Sequence, residues 1–362
     1  MRIITTVCWV VTAVALAGLA LWFLTGTVFG FRSETRSFNW PFNINIGGWE
    51  SLTGPFSVVG SYSVGTAGVD SIKIDWVAGE VAVRPHDGDE ILITEYAQRD
   101  LNDREKLNIS SSGGTLTIKF HENRISGLMP QKKLEVLIPR PLCDNLQNLM
   151  VGSVSDRVLV SDIKADYVKI GTTSGSIHLT DITSQRLDAD STSGSCTLSS
   201  VTSEDIKLDS TSGSIHISES ASRTLRCDTT SGRIEVSGSF DSARLKSTSG
   251  SVILDDSATG AEVNADTTSG SVTLTGSFDK GKIDSISGRV TLTSTIVPSS
   301  LNVDTTSGSI TVTVPGDGEI TVRYSTTSGR FSSDVPVVLR GGSGARFNLS
   351  TTSGSIKINS LG

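Results

Sequence analysis

The sequence predicts an all-β protein: a single-stack β-solenoid, similar to a parallel β-helix, of about ten coils of 18–25 residues. Three observations support this prediction. A Ser-Gly pair recurs ten times at nearly constant spacing, apolar residues alternate with polar ones on both sides of each pair, and no 3.6-residue helical period appears. The ten glycines are Gly175, Gly194, Gly213, Gly232, Gly250, Gly270, Gly288, Gly308, Gly329 and Gly354.

Each repeat contains two short strands joined at the glycine. Around Gly213, the aliphatic residues Ile206 and Leu208 precede the glycine, and Ile215 and Ile217 follow it. Alternation with period two indicates strands that bury one face. Because a two-strand unit cannot bury its own apolar face, we expect the copies to stack at about 4.8 Å and form continuous internal columns.

The corner between the strands is rich in Thr, Ser and Gly. Glycine permits a left-handed backbone at a turn, and hydroxyl groups hydrogen-bond nearby backbone atoms. Thr stands two places before the glycine in nine copies, and Ile286 takes this place in the tenth. The exchange of Thr for Ile predicts that this position is half-buried.

The composition argues against nucleic-acid binding and against a fold held together by disulfides. The chain has 362 residues and a formal net charge of −7, and no basic stripe with interleaved aromatic residues is present, which argues against a nucleic-acid binder. The four cysteines do not form a disulfide framework. Cys8 lies in an apolar segment and Cys143 follows a strand, whereas Cys196 and Cys227 are expected to be small core residues in different columns.

Residues 1–31 are predicted to be a transmembrane anchor. The run Ile3–Leu24 is almost entirely apolar and has the length of one membrane-spanning helix. A cleavable signal peptide, with Ala15–Ala17 as the cleavage site, is the alternative; the apolar run continues past that site, which favours the anchor. By analogy with other solenoids, we expect the bulk of the chain on the extracytoplasmic side of the cell membrane.

Three further regions follow the anchor. Residues 32–68 are predicted to be an aromatic and Gly-rich juxtamembrane linker, 69–150 an irregular N-terminal β cap, and 151–362 the solenoid array. The final copy, Ser353–Ile358, lies almost at the end of the sequence, so we expect no C-terminal cap. An open last coil could pair edge to edge with another chain, through Ile356 and Ile358.

The cap and the repeats together resemble a known family. The segments Ile74–Val83, Asp87–Ile91 and Leu134–Pro139, followed by the Thr-Ser-Gly-Ser copies, resemble the bacterial putative-adhesin domain of unknown function, also described as a toastrack-like β-repeat domain. The resemblance covers roughly residues 69–359. It implies a β-solenoid-like fold, frequent tethering to the bacterial envelope and, in some members, links to envelope-stress systems. It implies no catalytic residues.

An acidic column is the candidate site. Asp stands four places before the glycine in six copies, and strand parity predicts that these side chains point outward about 5 Å apart. Rows of carboxylates can recruit Ca²⁺. The nonapeptide of calcium-binding β-rolls is absent, however, which favours a solvated acidic edge whose carboxylates accept hydrogen bonds from turn amides. The candidate metal ligands are Asp190, Asp209, Asp228, Asp266, Asp284 and Asp304.

No catalytic motif stands out in the sequence, and no cofactor is expected. The sequence therefore predicts a non-enzymatic, membrane-anchored scaffold or adhesin-like interaction module that contacts an envelope protein or a surface polymer. One alternative is a partner of a membrane protein in envelope-stress sensing. Another is a glycan-active β-helix enzyme, whose sign would be a groove that holds two carboxylates and a basic residue off the repeat consensus; no pair in the sequence stands out in this way.

Overall fold

The computed structural model describes residues 55–121, 130–316, 318–339 and 344–361. The predicted membrane anchor and most of the predicted linker lie outside this part of the chain. Among the described residues, no helix has both the length and the apolar composition needed to cross a membrane.

The described residues form 24 β-strands and one short helix, α1 (Arg140–Cys143). The strands are β1 (Ser57–Gly65), β2 (Ser71–Asp75), β3 (Val81–His86), β4 (Glu90–Ala97), β5 (Asn108–Ser112), β6 (Thr115–Lys119), β7 (Lys132–Pro139), β8 (Leu146–Ser153), β9 (Val158–Thr172), β10 (Ile177–Ser191), β11 (Cys196–Ser199), β12 (Thr202–Ser210), β13 (Ile215–Thr229), β14 (Ile234–Ser247), β15 (Val252–Thr267), β16 (Val272–Ser285), β17 (Val290–Ser294), β18 (Ser300–Thr305), β19 (Ile310–Pro315), β20 (Ile320–Thr326), β21 (Phe331–Ser333), β22 (Val337–Val338), β23 (Ala345–Thr351) and β24 (Ile356–Leu361).

The strands of the array stack in parallel register, which confirms the predicted β-solenoid. Below, each coil is named by its corner glycine and comprises the strand residues on both sides of it. Leu187 of β10 pairs with Ile206 of β12, and Ile206 pairs with Leu225 of β13. These aliphatic side chains are almost completely buried and belong to one continuous hydrophobic core. Cys196 and Cys227 are buried, as expected, and Cys143 is buried as well.

Close packing, rather than a left-handed backbone, explains the glycine at each corner. A Cβ atom on any of the ten glycines would lie 1.6–2.2 Å from a backbone carbonyl oxygen of the adjacent coil. No side chain fits at that distance. The expected left-handed conformation is wrong for these glycines, since their φ angles are not positive.

A hydroxyl side chain three residues before the glycine fixes the corner. In six coils it accepts a hydrogen bond of 2.8–3.1 Å from the glycine N–H, as Ser191 does from Gly194. The Thr one residue further along is exposed, and Ile286 in its place is 55% exposed. The expectation that this position is half-buried is therefore wrong.

A second bend lies six residues after several of the corners, and the sequence analysis did not find it. Asp162, Asp181, Ser200 and Glu219 have positive φ angles of 51–56° inside or beside long strands. The short polar side chains of Asp and Ser tolerate this conformation better than branched ones do.

The spatial order of the coils departs from the sequence order at the C-terminal end. Strands β18 and β19 of the Gly308 coil pair with β23 and β24 of the Gly354 coil. The other edges of β23 and β24 pair with β20 and β21 of the Gly329 coil. The last coil in sequence therefore lies inside the stack, and Ile356 and Ile358 are fully buried. The expectation that this copy forms the open end is wrong.

The Gly329 coil closes the C-terminal end instead, so the expected absence of a cap is also wrong. Tyr324 stacks on Phe331 across the end of the core, with ring centroids 4.1 Å apart. Strand β22 folds back and pairs with the start of β20. Tyr324, which is 45% exposed, and Ser333 occupy positions that are aliphatic or cysteine in the other coils. Burying the Tyr hydroxyl inside the core would cost free energy, whereas the end of the stack leaves it accessible to water.

The N-terminal end has the same interleaved order. Strand β2 lies between β6 and β8, and β3 lies between β7 and β9, so the first coil in sequence is also internal. Antiparallel strands cover this end, because β5 pairs with β6, and β4 pairs with both β7 and β1.

A buried ion pair joins β4 to β7 at the N-terminal end of the stack. Lys132 Nζ donates to Glu95 Oε1 at 2.6 Å and to the carbonyl oxygen of Glu105 at 2.7 Å, and it lies 3.9 Å from the centre of the Phe120 ring. Both charged side chains are completely buried. Burial lowers the pKa of Lys132 to about 8, with Glu95 opposing this shift. Removing one partner would leave the other charge buried and uncompensated, which is strongly destabilising.

The interleaved C-terminal order can be tested with two residues at equivalent positions. Ile358→Ala should lower the free energy of unfolding by about 2–5 kcal/mol, because it opens a cavity between two coils. Ser333→Ala at the end of the stack should cost about 1 kcal/mol, since it removes one hydrogen bond to the Val335 carbonyl. Urea unfolding of both variants provides the comparison. Equal losses would contradict the observed order.

The close approach at the corner predicts that a methyl group is not tolerated there. Gly213→Ala should destabilise the protein by at least about 1–3 kcal/mol, since the new Cβ meets the Gly194 carbonyl oxygen at 1.9 Å. Gly65→Ala is the control, because no atom lies within 4 Å of a Cβ at that position. Thermal unfolding with similar midpoints for the two variants would contradict this account of the corner.

Candidate functional site: the charged columns and the C-terminal groove

The stack places the six candidate aspartates in one column. Asp190 pairs in register with Asp209, which pairs with Asp228, and Asp266, Asp284 and Asp304 follow in the same way beyond Lys246. The column continues through Ser350 to Ser325. Asp304 is exposed, whereas the other five aspartates are half-buried.

A column of mainly basic residues runs beside the acidic one. It lies six residues before each glycine, so its side chains project from the same face, two residues away from the aspartates. Lys282 Nζ lies 2.9 Å from Asp284 Oδ2, and Lys207 forms an ion pair with Asp209. The column contains Lys169, Asp188, Lys207, Arg226, Arg244, Asn264, Lys282, Asn302, Asn348 and Arg323. Counting back from each corner glycine, as for the aspartates, shows the basic residues in the sequence as well, but they were not predicted as a column.

Two features limit cation binding by the aspartates: the basic residues beside them and their arrangement in a single row. Cations in the adjacent column already compensate much of the acidic charge. Within the described residues, no three or more acidic, His or Cys side chains lie together in a way that could hold a metal ion.

Burial opposes ionisation along the acidic column. Burial, reinforced by the neighbouring Asp209, raises the pKa of Asp190 to about 6, while Lys207 and Lys169 oppose the shift. Burial is also the main cause of the raised pKa of Asp228 and of Asp266, with Asp209 and Asp284 adding to it. A half-buried carboxylate beside another carboxylate favours its protonated form.

The C-terminal part of this face forms an open groove of about 400 Å³. The Gly288, Gly308, Gly354 and Gly329 coils all contribute side chains to it. Its polar lining residues are Lys282, Asp284, Asn302, Asp304, Arg323, Ser325, Asn348 and Ser350. Asn348 Nδ2 donates a 2.7 Å hydrogen bond to Asn302 Oδ1, which orients both amides. The groove combines carboxylates, amides and cations and can therefore hydrogen-bond a polar ligand in several ways.

The raised pKa of Asp190 predicts that acidification stabilises the fold through this residue. Its contribution is fully present below the ordinary pKa of 3.8 and is lost as the pH rises through about 6. The melting temperature at about pH 5 should therefore exceed that at about pH 7.5, and Asp190→Asn should reduce this difference. The exposed Asp304, changed to Asn, is the matched control and should leave the difference unchanged. An Asp190→Asn variant with the pH dependence of the unmodified chain would contradict the prediction.

Several solved structures are similar to this chain, each at low sequence identity. A putative adhesin from Parabacteroides distasonis ATCC 8503 is 13% identical, with 84% of this chain and 98% of that chain covered and a TM-score of 0.40. A putative adhesin from Parabacteroides merdae ATCC 43184 is 12% identical, with 84% and 97% covered and a TM-score of 0.41. A putative lipid binding protein from Parabacteroides distasonis ATCC 8503 is 16% identical, with 86% and 98% covered and a TM-score of 0.38. No curated protein sequence matches the chain.

The family comparison covers most of the sequence. The model of the family described as Toastrack DUF4097 matches residues 69–273 and 220–359. These two overlapping matches include β2 to β23 and all ten Ser-Gly corners, whereas β1 lies outside them. The chain therefore belongs to the Toastrack DUF4097 family.

Proposed function

We propose that the chain is a non-enzymatic interaction module of the cell envelope, which contacts a surface polymer through its rigid solenoid. In this proposal, residues 1–31 anchor the chain in the cell membrane, and the bulk of the chain lies on the extracytoplasmic side. The observation that carries the proposal is the open, polar groove at the C-terminal end of a stack that repeats the same outward groups.

A second outer face supports contact with an extended ligand. In three adjacent coils, Thr occupies the positions three and five residues after the glycine, and the two sets of residues pair in register. These positions are uncharged, and β-branched Thr side chains lose little rotamer freedom on binding. Repeated weak contacts along a rigid surface add up through multivalency. The residues are Thr273, Thr275, Thr291, Thr293, Thr311 and Thr313.

The groove adds charge and directional hydrogen bonding to this hydroxyl-rich face. Arg323 supplies a planar donor for carboxylate or phosphate groups, and Asn348 has one amide oxygen that its bond to Asn302 leaves available. A polymer that carries both hydroxyl and acidic groups would match these two surfaces. Such polymers are the chemical class that the arrangement favours.

A second candidate, a glycan-active enzyme, is favoured by one observation. The groove brings Asp284 and Asp304 from adjacent coils together with Lys282 and Arg323. Most glycoside hydrolases place two carboxylates around the scissile bond. Lys282 Nζ lies 2.9 Å from Asp284 Oδ2, so one of these two carboxylates is already engaged in an ion pair within the protein.

Binding to a purified acidic cell-wall polysaccharide tests both candidates. The full chain, solubilised in detergent, is passed over the immobilised polymer, and the affinity and the release of soluble sugar are measured together. We expect binding without sugar release. Combined Arg323→Ala and Asn348→Ala substitutions should weaken binding at least about tenfold, the loss of roughly 1.4 kcal/mol.

Arg244→Ala is the matched control, because Arg244 is an exposed member of the same column and lies outside the groove. It should bind as the unmodified chain does. Sugar release that Asp304→Asn abolishes would replace the interaction module with the enzyme. Binding that is equally weak in all variants would contradict the role of the groove.

A further inference from the structure

Strand β1 has a free edge at the N-terminal end of the stack. It pairs antiparallel with β4, from Ser57 opposite Ala97 to Gly65 opposite Glu90, and with no other strand among the residues that the structure describes. Within the described part of the chain, the second edge of β1 therefore presents backbone N–H and C=O groups that pair with no strand. Such an edge is a template for pairing with a further strand.

The composition of β1 does not protect this edge. Proteins usually protect free edges with charged residues, prolines, β-bulges or very short strands. Strand β1 has nine residues, Ser-Val-Val-Gly-Ser-Tyr-Ser-Val-Gly, without a charge or a proline. One irregularity in its pairing lies between Val58 and Gly60, and Val58 is 57% exposed. At the opposite end of the stack, β22 covers the start of β20, and two basic residues follow: Arg323 on β20 and Arg330 directly before β21.

The sequence of β1 is suited to pairing with itself. In an antiparallel pair centred on Ser61, Gly60 of one copy faces Tyr62 of the other, and no two like charges meet. The Tyr62 ring already lies across Gly60 within its own strand, within about 3 Å of where a Cβ atom would be. Because Gly60 has no side chain, the Tyr62 ring of the same strand can lie this close to its backbone. A two-fold pair of this kind uses the same surface on both partners and closes on itself.

We propose that β1 is an interaction edge through which two copies of this chain pair in antiparallel fashion, with Ser61 on the two-fold axis. The strands β7, β4 and β1 of one copy would continue into β1, β4 and β7 of the second copy as one sheet. Backbone hydrogen bonds across the axis would supply affinity, as in other strand additions. The two solenoids would then extend away from a shared N-terminal sheet. This proposal does not depend on the polymer-binding function.

Disulfide cross-linking of the full chain tests the position of the axis. Ser61→Cys is introduced into a Cys8→Ser background, because Cys143, Cys196 and Cys227 are buried. Directly opposed residues in antiparallel strands have Cβ atoms about 4.5–5.5 Å apart, close to the range that a disulfide spans. Mild oxidation should convert most of the protein into a covalent dimer. Thr202→Cys is the control, since this exposed residue lies on β12, which is paired on both sides.

Charge on the free edge provides a second, independent measurement. Ser61→Lys combined with Ser63→Lys should convert the dimer to a monomer in multi-angle light scattering and leave the melting temperature within a few degrees. Thr202→Lys should remain dimeric. A monomeric unmodified chain at all concentrations would overturn the proposal, as would equal cross-linking of Ser61→Cys and Thr202→Cys. A monomer whose Ser61→Cys thiol resists a soluble thiol reagent would show that the same chain covers the edge, and this result also overturns the proposal.

Discussion

The contact between each corner glycine and the carbonyl oxygen of the adjacent coil constrains the rest of the solenoid. Ten glycines approach a backbone oxygen more closely than any side chain permits. This approach holds successive coils at the spacing of a parallel sheet and aligns the strands on both sides of the corner. Buried aliphatic side chains then stack above one another, and so do the outward side chains. The acidic and basic columns follow from the same register.

The period of the repeat is the reason that the sequence predicts so much of the fold. Inward residues such as Ile215 and Ile234 fall at the same offset from their glycines, and the structure pairs them directly. The aspartate column is predictable for the same reason. The role of the glycine was inferred incorrectly, because a sequence pattern shows that a side chain is excluded without showing whether torsion or contact excludes it.

The order of the coils at the ends is not encoded in the period. Parallel edges with the same corner can pair in more than one order, so adjacent position in the sequence does not guarantee adjacent position in space. Two signals were available: Tyr324 and Ser333 break the aliphatic pattern, and the interval from Gly329 to Gly354 is the longest of the series. The groove depends on this order, since Asn348 lies between Asn302 and Arg323 only because the Gly354 coil is inserted there. Sequence reasoning that assumes consecutive stacking cannot find such a site.

The interleaved ends also affect how the molecule responds to tension. In a simple stack, a single ladder of hydrogen bonds holds the outermost coil. This coil can separate alone, and the next coil is then exposed. In this solenoid, the first coil and the last coil in sequence each pair with a neighbouring coil on both sides. A mechanical load from the C-terminal side must break two ladders at once, and a load from the N-terminal side meets the same arrangement once β1 has separated from β4. The interleaved coils therefore resist unfolding that starts at the ends of the solenoid.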